Sequence, residues 1–344
     1  MAGSAEIRTA EPAPRRVVDV HTHNFSPRFI ELLREHPDAH TRLLQTSPHE
    51  TISYRGSPFV RLSPAMTDVS ARIAAMDAAG VDVAILSLTA PNVYWGDRET
   101  SIAAARIAND DFAATAAAHP HRIRWMASLP WQHPEAARAE LERALALGAV
   151  GVCMLTNIVG APLDDERFGS VWSAIQDAAA PVFIHPTVPF VDVAAWNVDS
   201  YGLGNSVGFT SDTTLAFARL ILSGFMDRFP SLELIACHGG GSLPYLIARM
   251  DQIWRHSGSP NRSTIAQAPS TYLRRFWYDA IVYDAETLRF LVQRVGADRV
   301  LYGSDYPFSI QDMQGVKDRV ESLPEEQRTP ILGGNAAQLF RLDG

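Results

Sequence analysis

The sequence predicts an α/β fold, a (β/α)8 TIM barrel with loop insertions at its C-terminal rim. Two observations carry this. Eight apolar runs of strand length are each followed by a segment of helical period. The runs are also near-continuously apolar, as strands covered on both faces must be. A doubly wound open sheet alternates in the same way, but eight regular units favour closure. No composition shift or low-complexity linker divides residues 17–344, which are expected to form one domain despite their length. Residues 1–16 are polar, lack the apolar stretch of a signal peptide and are expected to be a flexible tail.

Taken in order, the first strand is VVDV from Val17 to Val20, and a helix over about 67–79 stops at Gly80. VDVAILSL (Val81 to Leu88) is the second strand, followed by a long Ala-rich helix from Glu99 to Ala118. IRWMASL (Ile123 to Leu129) leads into a helix ending before Gly148, and AVGVCML (Ala149 to Leu155) into one over about 168–180. PVFIH (Pro181 to His185) precedes a helix over about 212–229, and LELIACH (Leu232 to His238) one over about 242–254. FWYDAIV (Phe276 to Val282) and the helix 285–295 come next, then RVLYGSD (Arg299 to Asp305) and the C-terminal helices. The Gly-, Pro- and aromatic-rich stretches 36–64 and 188–211 fall where βα loops carry insertions, on the face where barrel active sites lie. GLGNSVG (Gly202 to Gly208) has neither the spacing nor the preceding strand of a dinucleotide fingerprint and reads as irregular loop.

Composition removes several function classes. A net charge of -8 argues against nucleic acid or an anionic membrane surface as partner. No apolar run approaches the ~18 residues of a membrane span. The two cysteines, Cys153 and Cys237, sit inside strand-like runs and form no disulfide framework, which fits a cytoplasmic protein. Of the 30 basic residues, 29 are Arg and only Lys317 is Lys, in QDMQGVKDRV. A Walker A loop, a Schiff-base lysine and a Ser-x-x-Lys nucleophile each need a lysine in a defined motif, so all three are excluded.

The histidines are placed unevenly. His21 and His23 follow the first strand at i and i+2, a spacing that points two imidazoles the same way. His185 ends the fifth strand, His238 the sixth and Asp305 the eighth. All five fall on the catalytic rim of a barrel, and imidazoles plus one carboxylate are the donor set of a mononuclear divalent-metal site with an open position.

VDVHTH at the first strand, FIHP at the fifth, CHGGGSLPYLIARMD after the sixth and LYGSDYPF at the eighth resemble the amidohydrolase superfamily, and within it the decarboxylase branch. RIAAMDAAGVDVAIL (Arg72 to Leu86) and LILSGFMDRFPSLELIACHGGG (Leu220 to Gly241) match that branch too. The resemblance implies that His21, His23, His185 and Asp305 bind one metal, usually Zn²⁺ with Mn²⁺ as the alternative. It makes His238 the acid/base beside the catalytic ligand Asp305. An imidazole of ordinary pKa ~6.5 suits that task, and a fourth nitrogen ligand is the alternative role. Binuclear members bridge two metals through a carboxylated lysine on the fourth strand. Here that strand ends CMLTN without one.

The resemblance further implies a homodimer in which Arg249 of one chain binds substrate carboxylate in the other, with Arg61, or Arg55 in its stead, as same-chain partner. Two such arginines would suit a dicarboxylate. Trp95, Trp131 and Trp196 follow strands 2, 3 and 5 and are candidates to wall a pocket for a flat conjugated acid. Non-oxidative decarboxylation of an unsaturated or aromatic carboxylic acid is the expected activity. Metal-assisted hydrolysis of a lactone, amide or C–C bond uses the same ligands, and a metal-free binding barrel is the reading from outside enzymology.

Overall fold

Each expected barrel strand pairs in parallel with the one expected beside it. The computed structural model describes residues 16–46, 48–54, 57–187, 200–256 and 265–342. Its barrel strands are β1 (Val18–His23), β2 (Val83–Ser87), β3 (Ile123–Ser128), β4 (Gly151–Leu155), β5 (Val182–His185), β6 (Leu234–Ala236), β7 (Phe276–Asp279) and β8 (Val300–Leu301). The following helices are α1 (Val69–Ala79), α2 (Arg98–Ala118), α3 (Pro134–Ala146), α4 (Gly169–Asp177), α5 (Phe209–Leu222), α6 (Leu243–His256), α7 (Ala285–Val295) and α8 (Met313–Glu321). Among the described residues no helix is long and apolar enough to cross a membrane.

The strands are largely apolar because each buries both faces. Val18, Val20, Val83, Ile85, Met126, Cys153, Phe183, Ile235 and Leu301 fill the barrel interior. Their alternates, among them Ala84, Leu86, Trp125, Val152, Met154 and Ile184, pack in the larger outer layer with the helices. Ala336, Leu339 and Phe340, from the last helix (Asn335–Phe340), join the interior cluster. Helix ends follow local chemistry. Asp68, Asp97 and Asp284 cap α1, α2 and α7, and Gly80 ends α1 in the left-handed region at φ 65°. The lone lysine, Lys317, caps the same α1 terminus by donating to the Ala79 carbonyl at 3.1 Å.

The circle closes between β8 and β1 by an irregular seam. One parallel bridge joins Thr22 to Tyr306. Backbone bonds run from Val20 N to Tyr302 O (3.1 Å), His23 N to Tyr306 O (2.7 Å) and Asp305 N to His21 O (2.8 Å).

Three expectations need correction. The insertion 36–64 holds a three-stranded antiparallel sheet, Thr41–Thr46, His49–Tyr54 and Ser57–Arg61, in place of loop. TRLLQT lacks clean alternation, so its pairing is set by its neighbours and not by its own pattern. GLGNSVG is helical: a π-type turn, Gly204–Gly208, runs straight into α5. Glycine-rich sequence has poor helix propensity, but here the turn continues a helix whose first residue, Phe209, packs on Phe59 with ring centroids 5.4 Å apart. The helix expected over 212–229 is two, because Gly224 at φ 70° breaks it before Phe225–Arg228.

Candidate metal centre

Strand alternation places His21 and His23 on one side of β1, and their Nε2 atoms lie 3.1 Å apart. Asp305, held at φ 61° just past β8, sets Oδ1 3.3 Å from His21 Nε2 and 3.4 Å from His23 Nε2. His185 at the end of β5 and His238 after β6 complete the group. One donor atom from each of His21, His185, His238 and Asp305 lies within 4.8 Å of all the others. The structure thus brings together all five residues expected on the rim.

The imidazoles share an orientation. His21 Nδ1–H donates to Asp279 Oδ2 at 2.7 Å, and His185 Nδ1–H to the Pro186 carbonyl at 2.7 Å. His23 Nδ1 pairs with the Ser87 hydroxyl at 3.2 Å. Each ring spends Nδ1 outward and keeps Nε2 for the centre, the arrangement that fixes tautomer and aim in metal-bound histidines. Asp305 Oδ1 is buried and makes no hydrogen bond among the described residues, so its lone pairs also remain for a cation.

Charge points the same way. Burial lowers the His23 imidazole to about 4. Burial, reinforced by the neighbouring imidazoles, takes His185 well below the ordinary histidine value. At Asp305 burial is outweighed by the charge of His21, which holds the carboxyl well below the usual range. At His21 burial is outweighed by Asp305 and Asp279, and the ring is raised to about 10. Neutral imidazoles and an ionised carboxylate are the ligating forms, and the positive charge the carboxylates draw to His21 is one that a divalent ion supplies in its place. The donor set fits one such ion. A bridging lysine for a second is absent from β4, where the Thr156 hydroxyl instead donates to the buried carboxylate Asp212.

His238 lies in the same cluster, its ring centroid 5.0 Å from that of His21 and 5.8 Å from that of His185. Its Nε2 is 3.7 Å from Asp305 Oδ2, its Nδ1 has no hydrogen-bond partner among the described residues, and it lines the main cavity. The turn that carries it runs through four successive left-handed residues, His238 to Gly241, at φ 53°, 62°, 75° and 61°. The glycines serve packing as well as conformation: a Cβ on Gly241 would lie 2.2 Å from the Thr210 carbonyl.

The cavity above the centre has a volume of about 960 Å³. His185, His238 and Asp305 form its floor, and Phe59, Tyr201, Phe209, Tyr283 and Phe308 supply aromatic walls. Trp95 and Trp131, two of the three tryptophans expected there, do not. Trp131 is fully buried against Trp172, 4.7 Å between centroids. Trp95 packs on Phe29 and donates to the His36 carbonyl at 3.1 Å. Both are large apolar rings adjoining the outer core, where packing claims them. Trp196 and Arg55 lie outside the described residues.

No arginine or lysine lines this cavity among the described residues. Arg61 is exposed at the end of its strand, and its neighbours Phe59 and Val60 form the wall. Arg249 is exposed on α6. Asp279 is the functional residue that sequence reasoning missed, and its signal was a carboxylate inside the apolar run FWYDAIV.

Comparison with known proteins agrees with this geometry. The amidohydrolase family profile matches residues 18–342. A 2-amino-3-carboxymuconate-6-semialdehyde decarboxylase of Dictyostelium discoideum is 31% identical over 283 residues, covering 80% of this chain and 77% of its own length. The crystal structure of a 5-carboxyvanillate decarboxylase from Sphingomonas paucimobilis superposes with a TM-score of 0.82 at 28% identity, covering 95% of this chain and 99% of that one. A dihydroxybenzoic acid decarboxylase from Polaromonas sp. JS666, solved with manganese and the inhibitor 2-nitroresorcinol, matches at a TM-score of 0.77 and 25% identity over 96% and 98% of the two chains. The chain belongs to the amidohydrolase family, among relatives that are carboxy-lyases.

Proposed function

We propose that this chain is a mononuclear metal-dependent, non-oxidative decarboxylase of an aromatic or unsaturated carboxylic acid. The observation that carries the reading is the gathering of His21, His23, His185, His238 and Asp305 beneath an aromatic-walled cavity, with the Nε2 atoms of His21 and His23 3.1 Å apart. His21, His23, His185 and Asp305 are the ligands, for Zn²⁺ by donor type or for Mn²⁺, the ion held by the Polaromonas neighbour. A divalent ion held by these residues would supply positive charge that offsets the negative charge developing as CO₂ leaves.

His238 supplies the proton. Its ring lines the cavity, so it delivers a proton to the carbon that loses CO₂ as the C–C bond breaks. Phe59, Phe209 and Phe308 offer apolar ring faces that stack a flat acid and exclude water.

The cation for a substrate carboxylate comes from a second copy of the chain, as Arg249. It sits between exposed Tyr245 and Ile253 at i−4 and i+4 on α6, an apolar stripe suited to a homodimer contact. A cavity without its own described cation is consistent with this donation. Arg61 is not among the residues lining the cavity, and Arg55 remains the alternative same-chain partner for a dicarboxylate. Buried free thiols at Cys153 and Cys237 accord with a cytoplasmic setting.

The test is a screen of aromatic and conjugated acids for CO₂ release by metal-loaded protein, run in ¹⁸O-water. Release of CO₂ with a product one carbon shorter supports the decarboxylase. Solvent ¹⁸O in a product acid without CO₂ release would establish the hydrolase instead.

A further inference from the structure

Arg72, on α1, is fully buried, yet it forms no ion pair among the described residues. Its guanidinium donates to the Thr22 hydroxyl and to the His23 carbonyl, and lies 3.5 Å from Asn24 Oδ1. Its face covers the Tyr306 ring at 4.7 Å from the centroid. The Thr22 hydroxyl in turn donates to the Tyr306 carbonyl at 3.2 Å. Every one of these groups belongs to His23, Asp305 or an immediate neighbour of a ligand. They gather at the seam, where a single bridge stands in for a ladder between β1 and β8. The buried carboxylate of Asp19 attracts the guanidinium without pairing with it, so burying this cation remains costly, and an aliphatic side chain would fill the same space without that cost.

We infer that Arg72 is a positioning residue for the metal centre. Its fork clamps the end of β1 while its face holds the Tyr306 ring, and together these set the separation of His23 from Asp305. A guanidinium suits the task because its planar fork reaches two acceptors while its face stacks on a ring, which a lysine ammonium does not do. The inference rests on reading the cluster as a metal site.

The test uses the full chain with Arg72→Met, Arg72→Lys and Thr22→Val. Affinity for Zn²⁺ is measured by chelator competition, and the visible spectrum is recorded after Co²⁺ loading. Both Arg72 variants are expected to bind Zn²⁺ about 10- to 100-fold more weakly, with an altered Co²⁺ spectrum. Thr22→Val, which removes the hydroxyl between Arg72 and Tyr306, is expected to shift the spectrum in the same sense and keeps the test decisive if Arg72→Met fails to fold. Variants that melt earlier but keep wild-type affinity and spectrum would show that Arg72 supports only the fold. A wild type that binds no divalent ion would instead overturn the site itself, and the inference with it.

Discussion

The carboxylate of Asp279 accepts the Nδ1–H of His21 at 2.7 Å, and both side chains are completely buried. Its second oxygen accepts the backbone N–H of Gly239 at 3.1 Å, so one residue aims a ligand ring and holds the turn that carries His238. Asp279→Ala is therefore expected to weaken metal binding about 10- to 100-fold, because His21 loses the partner that fixes its tautomer. Chelator competition measures this, and unchanged affinity would remove the orienting role.

One divalent metal per chain is expected from elemental analysis of the purified protein. His21→Ala and His185→Ala should each lose both metal and activity, since each removes one of four bonds from a site that keeps a position open. A ratio of two metals per chain, or full activity after exhaustive chelation, would contradict the single-ion site.

His238→Ala is expected to keep its metal and lose a factor of about 10² to 10⁴ in kcat, the span typical of a proton-transfer group. Metal content separates the two roles open to this residue: a variant purified without metal identifies His238 as a ligand.

Asp212 provides a pH dependence outside the centre. Burial raises its carboxyl from 3.8 to about 6, against the opposing bonds from Thr156 and the Thr187 N–H. The folded state therefore holds this proton more tightly than the unfolded chain. The associated stability is fully present below about pH 4 and is lost as pH rises through about 6. Relative to Asp212→Asn, the wild type should lose on the order of 3 kcal/mol between pH 4 and pH 7. Unfolding curves of the two proteins across that range test it, and parallel pH profiles would rule it out.

Arg249 is tested by complementation. Chains carrying Arg249→Ala and chains carrying His238→Ala should each be nearly inactive. Co-assembled, they should recover activity, because one of the two shared sites then holds both residues. Demonstrated mixed dimers without recovery, or an active monomer, would end the shared-site proposal.

The barrel and the cluster on its rim were legible in the sequence for different reasons. Strands buried on both faces must be apolar throughout, so β2 and β4 announce themselves locally, and Gly80 marks a helix end through a conformational preference of its own. The rim cluster was legible because metal chemistry restricts residue type: imidazoles and a carboxylate at strand ends have few other collective uses. Substrate walls were less so. Trp95 and Trp131 had the right position in the chain, but whether a large ring faces the cavity or the outer core depends on which neighbours reach it first.

The sequence alone determined the order of strands and helices, the absence of lysine chemistry and which donors meet on one rim. The tertiary structure alone decided how those donors are aimed. Asp279 finds His21 across 258 residues and Arg72 finds Thr22 across 50. A carboxylate in an apolar strand and an arginine in an Ala-rich helix carry no periodicity that names a distant partner. Only closure of the barrel brings β1, β7 and the residues after β8 together, and with that closure hydrogen-bond geometry and desolvation select the pairs.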